Sequence, residues 1–325
     1  MPVDRRILVG AILASILAAF FWATYYLFVL WVTPGTAPSA ILAIPFLAGG
    51  IAYAGWAVGG GHGRAFAALW VDPMAWVRVG LLFGMQVGVL AATYLTGPVD
   101  SSLLSLIGDV VLTPAIVALF LASYRSRIAT PLFAIGVAVS LAGGTMTIVA
   151  GQTLSAVEGF GWLVVPGVPV LVAAYFLLTA RANRTIAPAA VVGQSMLASG
   201  LVFVVTAPLF PGGWAGLLSV TPLPMLLLIL CGLTSFFLAP ALYFLALSEV
   251  GLVVPPMLMT GIPVFTLLLS AGVLGIALPF VGVLGIPVAV AGGIIALRGE
   301  SGSDAELPLE PPPPASGTSP PIASQ

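Results

Sequence analysis

Residues 101–114 read SSLLSLIGDVVLTP, and within them Ser102, Ser105, Asp109 and Thr113 recur at spacings of three, four and four. On a helix this spacing draws one polar stripe along one face. Asp109 lies eight residues into an apolar run, about 12 Å along a helix axis. A charged carboxylate at that depth in a bilayer costs roughly 2.5–3.5 kcal/mol, so its stripe belongs toward protein or a watery cavity. Three chemistries fit. The group can carry a proton, because burial raises a carboxyl pKa toward neutrality. It can stay charged and pair with a cationic substrate. It can also be a protonated acid that bonds a neighbouring helix.

Other groups are candidates to share a cavity with Asp109, Ser105 and Thr113. Gln86 precedes Thr93 and Tyr94 by seven and eight residues, and Gln194 stands beside Ser195. Trp22, Tyr25, Tyr26 and Tyr243 add aromatic surface. Each aromatic has packing or interfacial anchoring as its plain alternative, and each glutamine has interhelical bonding. Pro114 and Pro263, with Pro255 and Pro256, are candidates for hinges or fixed kinks, because proline frees a helical carbonyl. Arg78 is a possible partner for Asp109, but its position near a span mouth places it close to the inner surface.

These residues need elements to hold them. The chain has 325 residues, 60% of them hydrophobic and 6% charged. Soluble domains carry about 25% charged residues, so the composition points to an integral membrane protein. Apolar runs fall at about 8–33, 38–58, 75–97, 101–123, 130–150, 159–180, 187–209, 223–247, 250–273 and 278–297. Each is long enough to cross a core of about 30 Å as a helix. The expected fold is all-α, with ten membrane-spanning helices. The first run is read as a spanning helix and not a cleaved leader, because it continues through FFWATYYLFVLWV without a short core and cleavage site. Residues 298–325 are acidic and proline-rich, and are expected to form a disordered cytoplasmic tail.

All nine basic residues are arginines, and ten spans place every one of them on one side. By the positive-inside rule that side is the cytoplasm of a cell membrane, with both termini inside. No basic cluster is large enough for nucleic acid. Cys231 is alone, so disulfide frameworks and multi-cysteine metal sites within the chain are excluded. The lone His62 sits in a glycine-rich loop. The spans offer no cluster of His, Cys or carboxylate groups to run catalysis, and no nucleotide loop follows a strand. An enzyme and a cofactor are therefore not expected.

The chain also matches itself. Shifted by 149 residues, Ala92 meets Ala241, Tyr94 meets Tyr243 and Pro114 meets Pro263. Gly136 meets Gly285, and Gly143 and Gly144 meet Gly292 and Gly293. Residues 92–144 hold 11 identities in 53 positions against 241–293, and Pro38 pairs with Pro188 at a shift of 150. The reading is a first five-helix repeat over 1–151 and a second over 152–297. Five is odd, so the second repeat is inverted, which is the layout of alternating-access carriers. The glycines at 136, 143, 144, 285, 292 and 293 read as helix-contact positions.

Residues 247–297, LSEVGLVVPPMLMTGIPVFTLLLSAGVLGIALPFVGVLGIPVAVAGGIIAL, resemble the last two helices of EamA-like members of the drug/metabolite transporter superfamily. Pro263 stands at that family's helix-nine proline, Leu274-Gly275 precedes the final turn, and Gly285 and Gly292-Gly293 fit its last helix. Ile276 and Ala277 stand where the family shows Glu-Arg, which marks a divergent member. The resemblance implies export of small metabolites, amino acids or drug-like compounds, often linked to protons. The expected partners are a small-molecule substrate, the lipid bilayer and protons. The rival readings are a non-transporting scaffold or sensor and, behind it, an intramembrane enzyme.

Overall fold

The computed structural model describes residues 5–96, 101–102, 129–150, 161–183, 185–250, 258–259, 261–275 and 280–301. Helix follows helix: α1 (Arg5–Val32), α2 (Pro38–Gly59), the short α3 (Gly63–Ala68), α4 (Pro73–Thr96), α5 (Pro131–Ala150), α6 (Gly161–Ala182) and α7 (Pro188–Val205). After them come the short α8 (Gly213–Leu218), α9 (Pro222–Cys231), α10 (Ala239–Val250), α11 (Ile262–Leu274) and α12 (Phe280–Ser301). Prolines open α2, α4, α5, α7 and α9. Proline suits a first helical position because its missing N–H would have no partner there and its φ is already helical. α6 runs on through Pro166 and Pro169, a tolerance that membrane helices have when neighbours satisfy the freed carbonyls.

Five described stretches are long and apolar enough to span a bilayer: Val9–Val32, Pro38–Gly59, Pro73–Tyr94, Pro188–Val205 and Pro222–Ala246. Shorter apolar helices cover Pro131–Met146, Gly167–Thr179, Ile262–Val273 and Phe280–Ala296. Val9, Leu13, Ile16 and Leu17 of α1, and Phe280, Val281, Val283 and Leu284 of α12, lie exposed. Such outward apolar faces suit lipid. The chain is a multi-pass, all-α membrane protein. Residues 103–123 of the fourth expected span lie outside the described residues.

Small residues set how the helices meet, since lipid gives no hydrophobic drive and close approach supplies the packing energy. α5 crosses α12 backbone to backbone. A Cβ at Gly136 would fall on the backbone of Ala296 and stand 2.7 Å from the Gly292 carbonyl oxygen. One at Gly143 would fall on the Ala289 backbone and stand 2.6 Å from the Gly285 carbonyl oxygen. One at Gly292 would fall on the Ser140 backbone. α2 and α7 cross in the same manner, with Gly50 on Leu197 and Gly200 on Leu47. α1 packs on α10, and α4 packs on α6.

These contacts come in exchanged pairs. Adding 149 to position 136 and subtracting it from 292 turns the contact 136/292 into 285/143, and 140/292 becomes 289/143. A shift of 150 turns 50/197 into 200/47. The same shift carries the pair formed by α1 and α10 into the one formed by α6 and α4.

Candidate functional site

The wall that α1 contributes is aromatic. Trp22 lies 5.5 Å from the Tyr243 ring of α10, measured between centroids. Tyr25 is buried and meets Tyr26 at 5.5 Å and Phe236 at 5.5 Å, both edge-on. Phe236 belongs to a π-helical turn, Gly232–Leu238, that joins α9 to α10. Such a turn inserts one extra residue and rotates the side chains beyond it; it occurs often at functional sites. The Ser235 hydroxyl in this turn donates to the Phe21 carbonyl of α1 at 2.8 Å and lies 3.2 Å from the Thr24 hydroxyl. On its other side the turn meets Pro45 and Gly49 of α2, where a Cβ at Gly49 would stand 2.9 Å from the Gly232 carbonyl oxygen. Pro45 sits inside α2 and cannot donate to the carbonyl four residues earlier. A helix lacking one bond thus crosses a helix with an altered bonding pattern.

A second group of polar residues lies where α2, α4, α6 and α7 meet. Arg78 is 2% exposed, and its Nε and Nη2 have no hydrogen-bond partner. Tyr175 of α6 is buried close to Thr179 and Ser195, within electrostatic reach of Arg78 and of Tyr53. The hydroxyls of Tyr53, Tyr175 and Thr179 form no hydrogen bond. Gln194 is fully buried with neither end of its amide bonded, and the Oε1 of Gln86 is unbonded as well. Buried polar groups are almost always hydrogen-bonded, so the concentration of open ones here makes this meeting of helices a candidate site for solute or water.

The expected site residues fall into three sets. Asp109, Ser105, Thr113, Pro114, Pro255 and Pro256 lie outside the described residues. Gln86, Gln194 and Tyr25 are buried, while Trp22 and Tyr243 pair with each other. Tyr94 is 41% exposed and accepts from the Thr33 hydroxyl at 3.3 Å, so it stands at the edge of the bundle. The Thr93 hydroxyl reaches the buried Ser101 at 3.1 Å, which sets residues 101–102 against α4. Pro263 stands in the first turn of α11, where it starts a helix and does not bend one. Gly144 and Gly293 are buried within α5 and α12 beside the crossing glycines.

Sequence reasoning passed over Tyr53, Tyr175, Thr179 and the π-helical turn, and it did not foresee that Arg78, near its span mouth, is buried. The signal for Arg78 was the residue itself, an arginine five positions inside a spanning helix. Among the described residues no three His, Cys, Asp or Glu side chains gather to hold a metal.

Residues 159–298 match the model of the EamA-like transporter family. No curated protein is significantly similar to the chain. A solved crystal structure of a protein superimposes with a TM-score of 0.65 at 20% identity, covering 89% of this chain and 96% of the other. At that identity the likeness concerns the fold alone, and it extends well beyond the matched family segment. Over residues 159–298, a little under half of its length, the chain is thus similar to the EamA-like transporter family.

Proposed function

We propose that the protein is a secondary active transporter that exports small metabolites, amino acids or drug-like compounds by alternating access. Its two halves, 1–151 and 152–297, are read as inverted five-helix repeats, and the tail from 298 and both termini as cytoplasmic. The exchanged contact pairs carry this reading. The α5/α12 contacts 136/292 and 143/285, and the α2/α7 contacts 50/197 and 200/47, are each related by one shift with the partners swapped. An interface built twice in opposite senses has two equivalent ways to open, which alternating access requires. The π-helical turn against Pro45 supplies a place where a span can change shape at low cost.

Asp109 is the proposed proton carrier. Its stripe with Ser105 and Thr113 begins at Ser102, which is buried beside Ser101 near α4. The test is flux by the purified full-length protein in proteoliposomes, with and without a pH gradient, across amino acids, organic acids and cationic dyes. Asp109→Asn is expected to abolish gradient-driven flux and leave membrane insertion intact. Unchanged pH dependence in that variant rejects the coupling role. Mapping the loop around Arg125 to the exterior, with the N-terminus in the cytosol, rejects the inverted layout.

A further inference from the structure

Arg78 is the most unusual buried residue described. It lies five residues into α4, Tyr53 lies six before the end of α2, and Tyr175 lies seven before the end of α6. These helix ends fall on one side in the ten-span layout, so the three side chains share a level about 8–11 Å inside the span ends. Neighbouring helices agree on this register. A Cβ at Gly193 of α7 would stand 2.9 Å from the Cβ of Tyr53, and one at Gly84 of α4 would stand 3.2 Å from Leu171 of α6.

The open atoms have a shape. Nε–H and the adjacent Nη2–H form one edge of the guanidinium, two parallel donors matched to the two oxygens of a carboxylate. Both are buried and unbonded. Arg78 forms no ion pair among the described residues. Asp72 acts on it only through space, and one of its carboxylate oxygens already accepts from the Met74 N–H at 3.0 Å. The unbonded hydroxyls of Tyr175 and Tyr53 add neutral donors at the same level, and that of Thr179 lies one turn nearer the end of α6. A buried cation with an open fork and no ion pair among the described residues is strongly disfavoured unless something negative joins it.

The geometry points to an anion site here, in which the side edge of Arg78 takes the carboxylate of a small solute and the Tyr175 hydroxyl donates to it. One cation with a two-pronged edge matches a singly charged, planar group. The inference rests on the transport reading for the solute's fate, since it names the class carried as carboxylate-bearing. Binding itself can be measured without transport.

The experiment is thermal melting of the purified full-length protein in detergent with benzoate, succinate and N-acetyl amino acids, each beside its neutral amide, and with phosphatidylglycerol as the lipid arm. At least one carboxylate, and not its amide, is expected to raise the melting temperature saturably. Arg78→Gln is expected to weaken that ligand by about tenfold or more, as for loss of a charged hydrogen bond, and Tyr175→Phe by about 2–10-fold. Absence of a carboxylate shift in the wild type, or an unchanged midpoint in Arg78→Gln, overturns the site. If Arg78→Gln does not fold, an unchanged midpoint in Tyr175→Phe overturns it. A shift with phosphatidylglycerol alone also overturns it, because the edge then serves a lipid head group. Flux of the binding carboxylate in proteoliposomes separates the two claims. Binding without flux keeps the site and removes the transport reading, whereas flux of other solutes without carboxylate binding does the reverse.

Discussion

Adding one methyl group at Gly143 should weaken the protein, while the same methyl at Gly80 should not. At Gly143 an alanine Cβ would stand 2.6 Å from the Gly285 carbonyl oxygen and 2.8 Å from the Ala289 Cα. Carbon contacts relax at about 3.5–4.0 Å, so α5 and α12 must part by about 1 Å. The atoms in the way are backbone, and no rotamer change can release them. A gap of that size forfeits a quarter to a half of each dispersion contact along the crossing, and overpacking of this kind costs about 1–3 kcal/mol. Gly80, in the middle of α4's first turns, has nothing within 4 Å of the same added atom. There alanine only improves helix propensity, by about 0.5–1 kcal/mol. Gly143→Ala should therefore lower the melting temperature in detergent, and Gly80→Ala should hold or raise it. The double variant Gly143→Ala with Gly292→Ala should cost less than the two singles summed, because one displacement of α12 accommodates both methyls. A Gly143→Ala protein that melts at or above the wild type, beside a destabilised Gly80→Ala, would refute the close crossing.

Two further predictions concern the π-helical turn. Ser235→Ala removes the bond to the Phe21 carbonyl at 2.8 Å and the contact with Thr24 at 3.2 Å. It should cost about 0.5–1.5 kcal/mol, read as a lower melting temperature, and no change would mean that α1 and the turn are not coupled there. Cys231, the single cysteine, is 1% exposed at the start of that turn. Maleimide labelling of the native protein should thus be slow and should accelerate with mild heating or denaturant, whereas labelling at the rate of a free peptide thiol would contradict the packing of α9.

What the sequence discloses depends on which physical contrast survives in a membrane. Helix limits are legible because proline marks helix starts: the runs expected to open near residues 38, 75, 130, 187 and 223 begin at Pro38, Pro73, Pro131, Pro188 and Pro222. The α5/α12 crossing is legible because only glycine lets two backbones meet, and Gly136, Gly143 and Gly292 stand out even in an apolar sequence. Side-chain burial is not legible in this way. α7 carries little polar contrast between its faces, so nothing in PAAVVGQSMLASG tells that Gln194 is sealed while Leu201, one turn beyond Leu197, is exposed. Arg78 shows the same limit. Its distance from the helix end fixes its depth near the span mouth, as expected, but its burial depends on neighbours from other helices, which its own stretch of sequence does not disclose. The π-helical turn leaves no periodic trace at all, since one inserted residue shifts the phase of GLTSFFL without changing its composition. The same reasoning explains why the open polar atoms gather between α2, α4, α6 and α7. Polar side chains that reach water or lipid head groups can satisfy themselves individually. Those that stay unbonded inside a bundle call for a partner, and on the transport reading proposed above the mobile partners at hand are water and the carried solute.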